Sequence, residues 1–134
     1  MNILFVCKFN SFRSKAAEQF FGKYNNNDKL KAKSAGLVMG YTKHSNIGKA
    51  AQKLDIEIKG DPIGLSLQLI DWADLIVLVA NDVSSDFFTT IWEVKRFEHW
   101  EIADAKEETV DERVSILNEI EERIKHYMKD LQKK

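Results

Sequence analysis

Cysteine is nearly absent from this sequence, since Cys7 is the only one among 134 residues. A single cysteine cannot form an internal disulfide, and Cys7 has no neighbouring cysteine or histidine with which to complete a zinc site. If Cys7 has a chemical role, it acts as a free thiol.

Long apolar segments are also missing, because no stretch approaches the roughly 18 apolar residues that span a bilayer. The first residues enter a strand-like pattern directly, without a basic leader or a small-residue cleavage site. We therefore expect a soluble, cytoplasmic protein with no membrane partner. Nothing in the sequence indicates its oligomeric state.

Charge of one sign is not in excess, since the formal net charge is −1. The chain therefore lacks the overall basic field that is typical of nucleic-acid-binding proteins. Its N-terminal quarter is nevertheless basic, which favours an anionic ligand or a phosphorylated partner near Cys7, although a solvated lysine-rich surface gives the same pattern. Residues 1–33 contain the basic Lys8, Arg13, Lys15, Lys23, Lys29, Lys31 and Lys33 and the acidic Glu18 and Asp28.

Linkers, repeats and low-complexity tracts are absent, and 44% of the residues are hydrophobic, so we expect one domain over residues 1–134. Apolar runs at 2–6 and 74–80 are typical of strands buried on both faces of a parallel sheet. Strand-like segments alternate with segments of helical periodicity along the chain, which predicts an α/β fold. We expect a three-layer α/β/α domain with a four-stranded parallel sheet. The predicted strands cover 2–6, 30–34, 74–80 and 92–97, and the predicted helices cover 14–24, 47–54, 65–72, 83–90 and 110–131.

The segment between the first predicted strand and the first helix carries a chemical pattern, in which five residues separate Cys7 from Arg13. A loop of this length at a helix N-terminus turns backbone N–H groups inward and, with the helix dipole, cradles a tetrahedral oxyanion. The same field favours a thiolate over a thiol. Arg13 would donate two parallel hydrogen bonds to the anion, a geometry that lysine cannot copy. The candidate substrate-binding residues are Lys8, Phe9, Asn10, Ser11, Phe12, Arg13 and Ser14.

The place of this loop in the fold supports the interpretation, because open α/β sheets bind ligands beyond the carboxyl ends of strands where the winding reverses. Asn10 tolerates the positive φ that helps a short loop to turn, and Ser14 would donate a hydrogen bond to the thiolate. The alternative is that Cys7 is a small hydrophobic residue of the core and that Arg13 follows it by chance.

The sequence around this loop resembles the low-molecular-weight protein tyrosine phosphatases and the arsenate reductases that share their fold. Near the N-terminus the resemblance lies in Ile3-Leu-Phe-Val-Cys7, Asn10-Ser11, Arg13-Ser14 and Ala17-Glu18. Further along, it lies in Ser34-Ala35-Gly36, Ala73-Asp74-Leu75-Ile76 and Trp100-Glu-Ile-Ala-Asp104-Ala105. These segments cover most of the chain in the order that the family has them.

The resemblance implies a metal-independent phosphomonoester hydrolase without a cofactor, acting on a phosphorylated protein or a small phosphomonoester. Cys7 would be the nucleophile that forms a phosphocysteine, and Arg13 with the loop amides would bind the phosphate. Asp104 would protonate the leaving oxygen and then serve as the base for the attacking water. The supporting hydrogen-bond network would consist of Asn10, Ser14 and Ser34.

The sequence departs from the family pattern immediately after Asp104, the predicted general acid. Ala105 stands where the family has proline, which makes Asp111 an alternative acid. Lys106-Glu107-Glu108 stand where aromatic residues often flank the phosphotyrosine ring, so the preference for phosphotyrosine stays open.

Arsenate reductase is the main alternative activity. Thioredoxin-coupled reductases need two further cysteines to pass a disulfide outward, and this chain has none. The place of the first relay cysteine is taken by Val79-Ala80-Asn81, so only a reductase regenerated by an external thiol fits. A catalytically silent phosphate-binding module is the second alternative, and it would bind phosphate or vanadate without turnover.

Overall fold

The computed structural model describes residues 1–38, 46–89 and 96–132. Strands and helices alternate along these ranges, as the sequence periodicities predict. The strands are β1 (Asn2–Cys7), β2 (Lys31–Gly36), β3 (Leu75–Val79) and β4 (Phe97–Trp100). The helices are α1 (Arg13–Tyr24), α2 (Ile47–Lys53), α3 (Leu67–Trp72), α4 (Asp86–Thr89) and α5 (Val110–Gln132).

The four strands form one parallel sheet in the order β2-β1-β3-β4. The two continuous apolar runs become its central strands, because only central strands are covered on both faces. Ile3 to Val6 in β1 are completely buried, and β3 is buried throughout. The chain crosses from β1 to β2 on one side and then to β3 on the other, so the winding reverses at the carboxyl end of β1.

Helices cover both faces of the sheet and make the three layers. On one face α1, α2 and α5 pack on alternate residues of the central strands, including Ile3 and Phe5. On the other face the intervening residues Leu4 and Val6 pack with Ala73 and Phe88 from the ends of α3 and α4. The predicted fold class, a four-stranded parallel α/β/α arrangement, is therefore confirmed.

Element ends differ from the predictions by a few residues. Helix α1 begins at Arg13, one residue before the predicted start, and α3 begins at Leu67 because the Ser66 side chain accepts a hydrogen bond from Leu69 N at 3.2 Å. The outer strand was predicted over 92–97. Strand β4 instead runs over Phe97–Trp100, and residues 92–95 of the predicted strand lie outside the described ranges.

Helix α5 is long, at 23 residues, but charged side chains occupy its outward positions. Over 1–38, 46–89 and 96–132, no helix combines the length and the apolar character needed to cross a membrane.

Candidate active site

Three chain segments meet at the carboxyl edge of the sheet. Cys7 is the last residue of β1, Asp82 follows β3, and Asp104 follows β4. Parallel strands bring their carboxyl ends to one edge, so residues distant in sequence become neighbours there. Helix α1 points its N-terminus toward the same edge, since it begins at Arg13 immediately after the loop that leaves β1.

Cys7 is buried, with 2% of its surface exposed. Its Sγ lies 3.0 Å from Ser14 Oγ, and the backbone N–H of Asn10 donates to the same sulfur at 3.2 Å. Two hydrogen-bond donors thus surround the sulfur, which is the arrangement that stabilises negative charge on it. A core cysteine that only fills space would not need them.

Asn10 fixes the direction of these hydrogen bonds. Its backbone has φ of 56°, in the left-handed region that asparagine tolerates. The side-chain oxygen accepts from Ile63 N at 2.8 Å, so the amide nitrogen must be the group that donates to Ser14 Oγ at 2.7 Å. Because Ser14 Oγ accepts this bond, its own hydrogen is available for Cys7 Sγ. Hydrogen bonds therefore bring Asn10, Ser14 and Cys7 together, and the supporting role of Asn10 and Ser14 in catalysis stays a prediction.

Ser34 does not join that network directly. Its hydroxyl donates to Glu18 Oε1 at 2.6 Å, and the side chain is buried between β2 and α1. This hydrogen bond therefore links β2 to helix α1. Ser34 lies two positions before Gly36, the residue of β2 that touches the loop.

Gly36 is the residue of β2 that touches the loop. A Cβ built there would lie 2.6 Å from the carbonyl carbon of Phe9 and 2.8 Å from Asn10 N. Both neighbours are backbone atoms that cannot turn aside as a flexible side chain can. The Ser-Ala-Gly element thus ends in glycine because the loop passes directly over it.

Gly36→Ala is expected to push the loop out of place. The extra methyl should cost about 1–3 kcal/mol of unfolding free energy, the usual cost of overpacking, and should weaken anion binding at the loop. Urea unfolding and vanadate affinity measure the two effects. The matched control is Gly22→Ala in α1, where an added Cβ meets nothing within 4 Å, and which should stabilise by about 0.5–1 kcal/mol. Equal effects of the two changes would contradict this account of Gly36.

Arg13 is almost completely buried, with 2% of its surface exposed, and it is held by groups from the two loops that follow β3 and β4. One terminal nitrogen donates to Ile102 O at 2.9 Å, and the other lies 3.0 Å from an Asp82 carboxylate oxygen. The same nitrogen lies 3.8 Å from Asp104 Oδ2. A guanidinium anchored in this way presents a fixed donor pattern at low entropic cost.

Asp104 lies at the rim, with 42% of its side chain exposed. Its Oδ1 accepts a hydrogen bond from the backbone N–H of Ala105 at 2.9 Å. Proline has no such N–H, so the substitution at this position supplies a contact that the family pattern cannot make. The carboxylate is thereby held with its other oxygen toward Arg13.

Glu112 anchors the segment that follows Asp104. Its carboxylate accepts hydrogen bonds from the backbone N–H groups of Lys106, Glu107 and Glu108 at 2.9–3.0 Å. These hydrogen bonds, of which the one from Lys106 has the largest effect, lower the pKa of Glu112 below its ordinary value. The alternative acid, Asp111, lies in the first turn of α5 and lines a separate depression with Lys49, Gln52, Lys53 and Val110.

The remaining loop side chains divide between surface and core. Lys8 lies over the Phe9 ring, 5.2 Å from its centroid. Phe12 is buried beneath Arg113, whose guanidinium carbon is 4.7 Å from the ring centroid. Burial lowers the pKa of Arg113. Phe12 can therefore contribute to a bound anion only through its backbone.

Sequence reasoning missed Asp82 and the carbonyl of Ile102, both of which contact Arg13. The signal for Asp82 was its position just after the second buried strand, at the edge where Cys7 lies. Within the ranges that the structure describes, no group of three or more His, Cys, Asp or Glu side chains is placed to hold a metal ion.

Comparisons with known proteins agree with this geometry. The model of the family described as low molecular weight phosphotyrosine protein phosphatase matches residues 2–134. No curated protein matches the chain.

Similar solved structures include three bacterial and archaeal proteins. The YwlE arginine phosphatase of Geobacillus stearothermophilus is 22% identical, with a TM-score of 0.84 over 98% of this chain and 93% of that one. The low molecular weight protein tyrosine phosphatase of T. tengcongensis is 21% identical, with a TM-score of 0.81 over 97% and 99%. An arsenate reductase of Archaeoglobus fulgidus is 29% identical, with a TM-score of 0.73 over 93% and 97%.

Proposed function

Because the chain belongs to the low molecular weight phosphotyrosine protein phosphatase family, we propose that it is a metal-independent phosphatase acting through Cys7. The observation that carries the proposal is that Cys7, whose Sγ is held by two hydrogen bonds, and Arg13, whose guanidinium is buried, lie at the two ends of one short loop. This loop opens helix α1, whose N-terminus favours an anion. The N-cap residue, Phe12, makes no side-chain cap hydrogen bond, which leaves the first N–H groups of α1, as far as the described residues go, for phosphate oxygens.

In the first step, the Cys7 thiolate attacks phosphorus and forms an S–P bond while the P–O bond to the leaving group breaks. Asp104 gives its proton to the departing oxygen, so an alcohol or phenol leaves. In the second step, Asp104 takes a proton from water as the water oxygen attacks phosphorus. The S–P bond breaks, and inorganic phosphate and the thiolate are released.

The neighbours of these two residues have supporting roles in the same proposal. Arg13 binds two phosphate oxygens, and its bond to Ile102 O sets the plane of the guanidinium. Ser14 donates to the sulfur and stabilises it as a leaving group in the second step. Asp82 balances the charge of the buried Arg13 when no phosphate is bound.

The proposed substrate is a phosphorylated protein or a small phosphomonoester, with the whole chain acting as one domain. The family description names phosphotyrosine, but Lys106-Glu107-Glu108 leave the rim without the aromatic flank typical of that preference. We place the activity in the cytoplasm, where a nucleophilic thiol stays reduced. A panel of phosphotyrosine, phosphoserine and phosphoarginine peptides with sugar phosphates would identify the preferred substrate.

Arsenate reduction is the second candidate, favoured by the likeness to the Archaeoglobus fulgidus reductase. In this chain Cys7 is the sole cysteine and is buried, so a small external thiol would have to regenerate it. Arsenate-dependent oxidation of glutathione, absent without the protein, would support this candidate over hydrolysis.

The protein is expected to hydrolyse para-nitrophenyl phosphate in the presence of a chelator. Orthovanadate should inhibit competitively, because a trigonal-bipyramidal vanadate matches the transition state for attack by the thiolate. Initial rates with and without the chelator measure the first effect, and initial rates over a matrix of substrate and vanadate concentrations, without the chelator because it binds vanadate, measure the second. Loss of activity with the chelator would contradict the metal-independent mechanism. Vanadate binding without turnover would instead identify a silent phosphate-binding module.

A further inference from the structure

A pocket of about 300 Å³ borders the phosphate-binding loop and has no part in the chemistry above. Its volume is at the small end of the range of ligand sites, which is roughly 300–1,000 Å³. Ser11 belongs both to the pocket wall and to the loop, so the two sites share a boundary. The described residues that line the pocket are Ser11, Lys15, Ile47, Gly48, Ile58, Lys59 and Gly60.

Lys15 is the unusual member of this lining. Only 8% of its surface is exposed, although a lysine is almost never so deeply buried without a partner. In the described part of the chain, its ammonium has neither an ion-pair partner nor a hydrogen-bond acceptor. The nitrogen reaches the pocket, since it lies 3.7 Å from the position of a Cβ built on Gly60.

Burial applies to the aliphatic stem of Lys15, because Tyr127 Oη is the only buried side-chain polar atom of the described residues that lacks a partner. The Lys15 ammonium is therefore open to the pocket and has no partner from the protein there. The charge is satisfied if an anion enters the pocket. Lys59, whose ion pair with Glu57 is exposed and weak, adds a second cation at the mouth. None of the described lining residues is acidic, so nothing among them would repel an anion.

The remaining lining suits an anion that is attached to an apolar body. Ile47 and Ile58 provide apolar surface. Lys15 also lies in the first turn of α1, where the helix dipole adds to the positive field. The pocket is therefore cationic at one wall and apolar at another.

We propose that this pocket binds a carboxylate or phosphate group that the substrate carries in addition to its reacting phosphate. The inference rests on the proposed phosphatase activity and narrows its substrates to phosphomonoesters with a second anionic group close to the first. Lys15 is a specificity-determining residue in this scheme and takes no part in bond breaking.

The test compares Lys15→Met with the wild-type protein on paired substrates. The pairs are the ortho, meta and para carboxyphenyl phosphates and their uncharged carbamoylphenyl counterparts, which have nearly the same shape. For at least one position, the wild-type protein should prefer the carboxylate by roughly tenfold or more in kcat/KM, as expected for a charge-assisted hydrogen bond. Lys15→Met should abolish that preference and leave the rate on the carbamoyl substrate unchanged.

Lys23→Met is the matched control, since Lys23 lies on the same helix, outside the pocket, with its ammonium on Leu54 O. It should keep the wild-type preference. An absent preference in the wild-type protein, or one that survives Lys15→Met, would overturn the proposal. A sulfate-dependent rise in Tm that requires Lys15, with no substrate preference, would also overturn it and assign the pocket to a free anion.

Binding measurements separate this inference from the phosphatase proposal. The same compounds are titrated calorimetrically into Cys7→Ser and Cys7→Ser/Lys15→Met protein. A carboxylate preference in affinity that depends on Lys15 supports the pocket even if the wild-type protein hydrolyses none of them. Hydrolysis without any such preference would support the phosphatase proposal and overturn the proposal of an anion-binding pocket.

Discussion

Cys7→Ser should abolish hydrolysis of para-nitrophenyl phosphate, with a fall in kcat of roughly 10⁴-fold or more, as for other enzymes that lose their nucleophile. A serine hydroxyl keeps the size of the side chain but ionises far less readily than a thiol. Nothing in the described site is placed to remove its proton, because Asn10 N and Ser14 both serve as donors toward this position. Initial rates with purified protein measure the loss.

The control for Cys7→Ser is retained binding. In the proposed mechanism the phosphate is bound by Arg13 and by backbone N–H groups, so the variant should still bind inorganic phosphate with an affinity within a few-fold of wild type. Thermal unfolding should show that the fold is intact. Full activity in Cys7→Ser would end the proposal of a cysteine nucleophile. In the wild-type protein, alkylation of Cys7 should stop turnover, and phosphate should protect against it.

The sequence was sufficient to predict the fold and to place Cys7 and Ser14 at the two ends of one short loop, because both depend on short-range patterns. Apolar runs identified β1 and β3, helical periodicity identified α1 and α5, and the loop from Cys7 to Arg13 lies between adjacent elements. The distance from Cys7 Sγ to Ser14 Oγ follows once that loop curls at a helix N-terminus. These local patterns are recognisable even when the predicted end of a helix or strand is wrong by one residue.

Contacts between distant segments could not be derived in the same way. The ion pair between Arg13 and Asp82 depends on which strand lies beside β1, and the sequence shows only that Asp82 follows a buried strand. Ser34 was expected beside the loop, but its bond to Glu18 depends on how α1 lies across the sheet. The burial of Lys15 could not be predicted from the sequence either, since it follows from the packing of residues 47–60 against α1.

Asp104 and Asp82 both lie beside Arg13, and two substitutions should separate their roles. Asp104→Asn should lower kcat by roughly 10²–10⁴-fold on an alkyl phosphate, the usual contribution of general acid–base catalysis. The unfolding free energy should change little, because the Asp104 carboxylate is 3.8 Å from Arg13 and 42% of its side chain is exposed. Rates on a series of aryl and alkyl phosphates should depend far more steeply on leaving-group basicity than in the wild-type protein.

Asp82→Asn should give the opposite pattern. It removes the nearest counter-charge of a buried guanidinium, 3.0 Å away, and should cost about 1–3 kcal/mol of unfolding free energy. Its effect on activity should fall mainly on KM, because Arg13 loses a group that positions it. If Asp82→Asn rather than Asp104→Asn made the rate steeply dependent on the leaving group, Asp82 would be the acid.

A burst experiment tests the two-step mechanism in the same variant. With para-nitrophenyl phosphate the leaving group departs readily without a proton, so Asp104→Asn should still form the phosphocysteine. Hydrolysis of that intermediate needs a base, so it should accumulate. Rapid mixing should release about one nitrophenolate per enzyme before a slow steady state, and acid-quenched protein should carry one phosphoryl group on Cys7. A linear time course with unmodified Cys7 would show that the substitution slows formation of the phosphocysteine. It would contradict a role for Asp104 in hydrolysis of that intermediate.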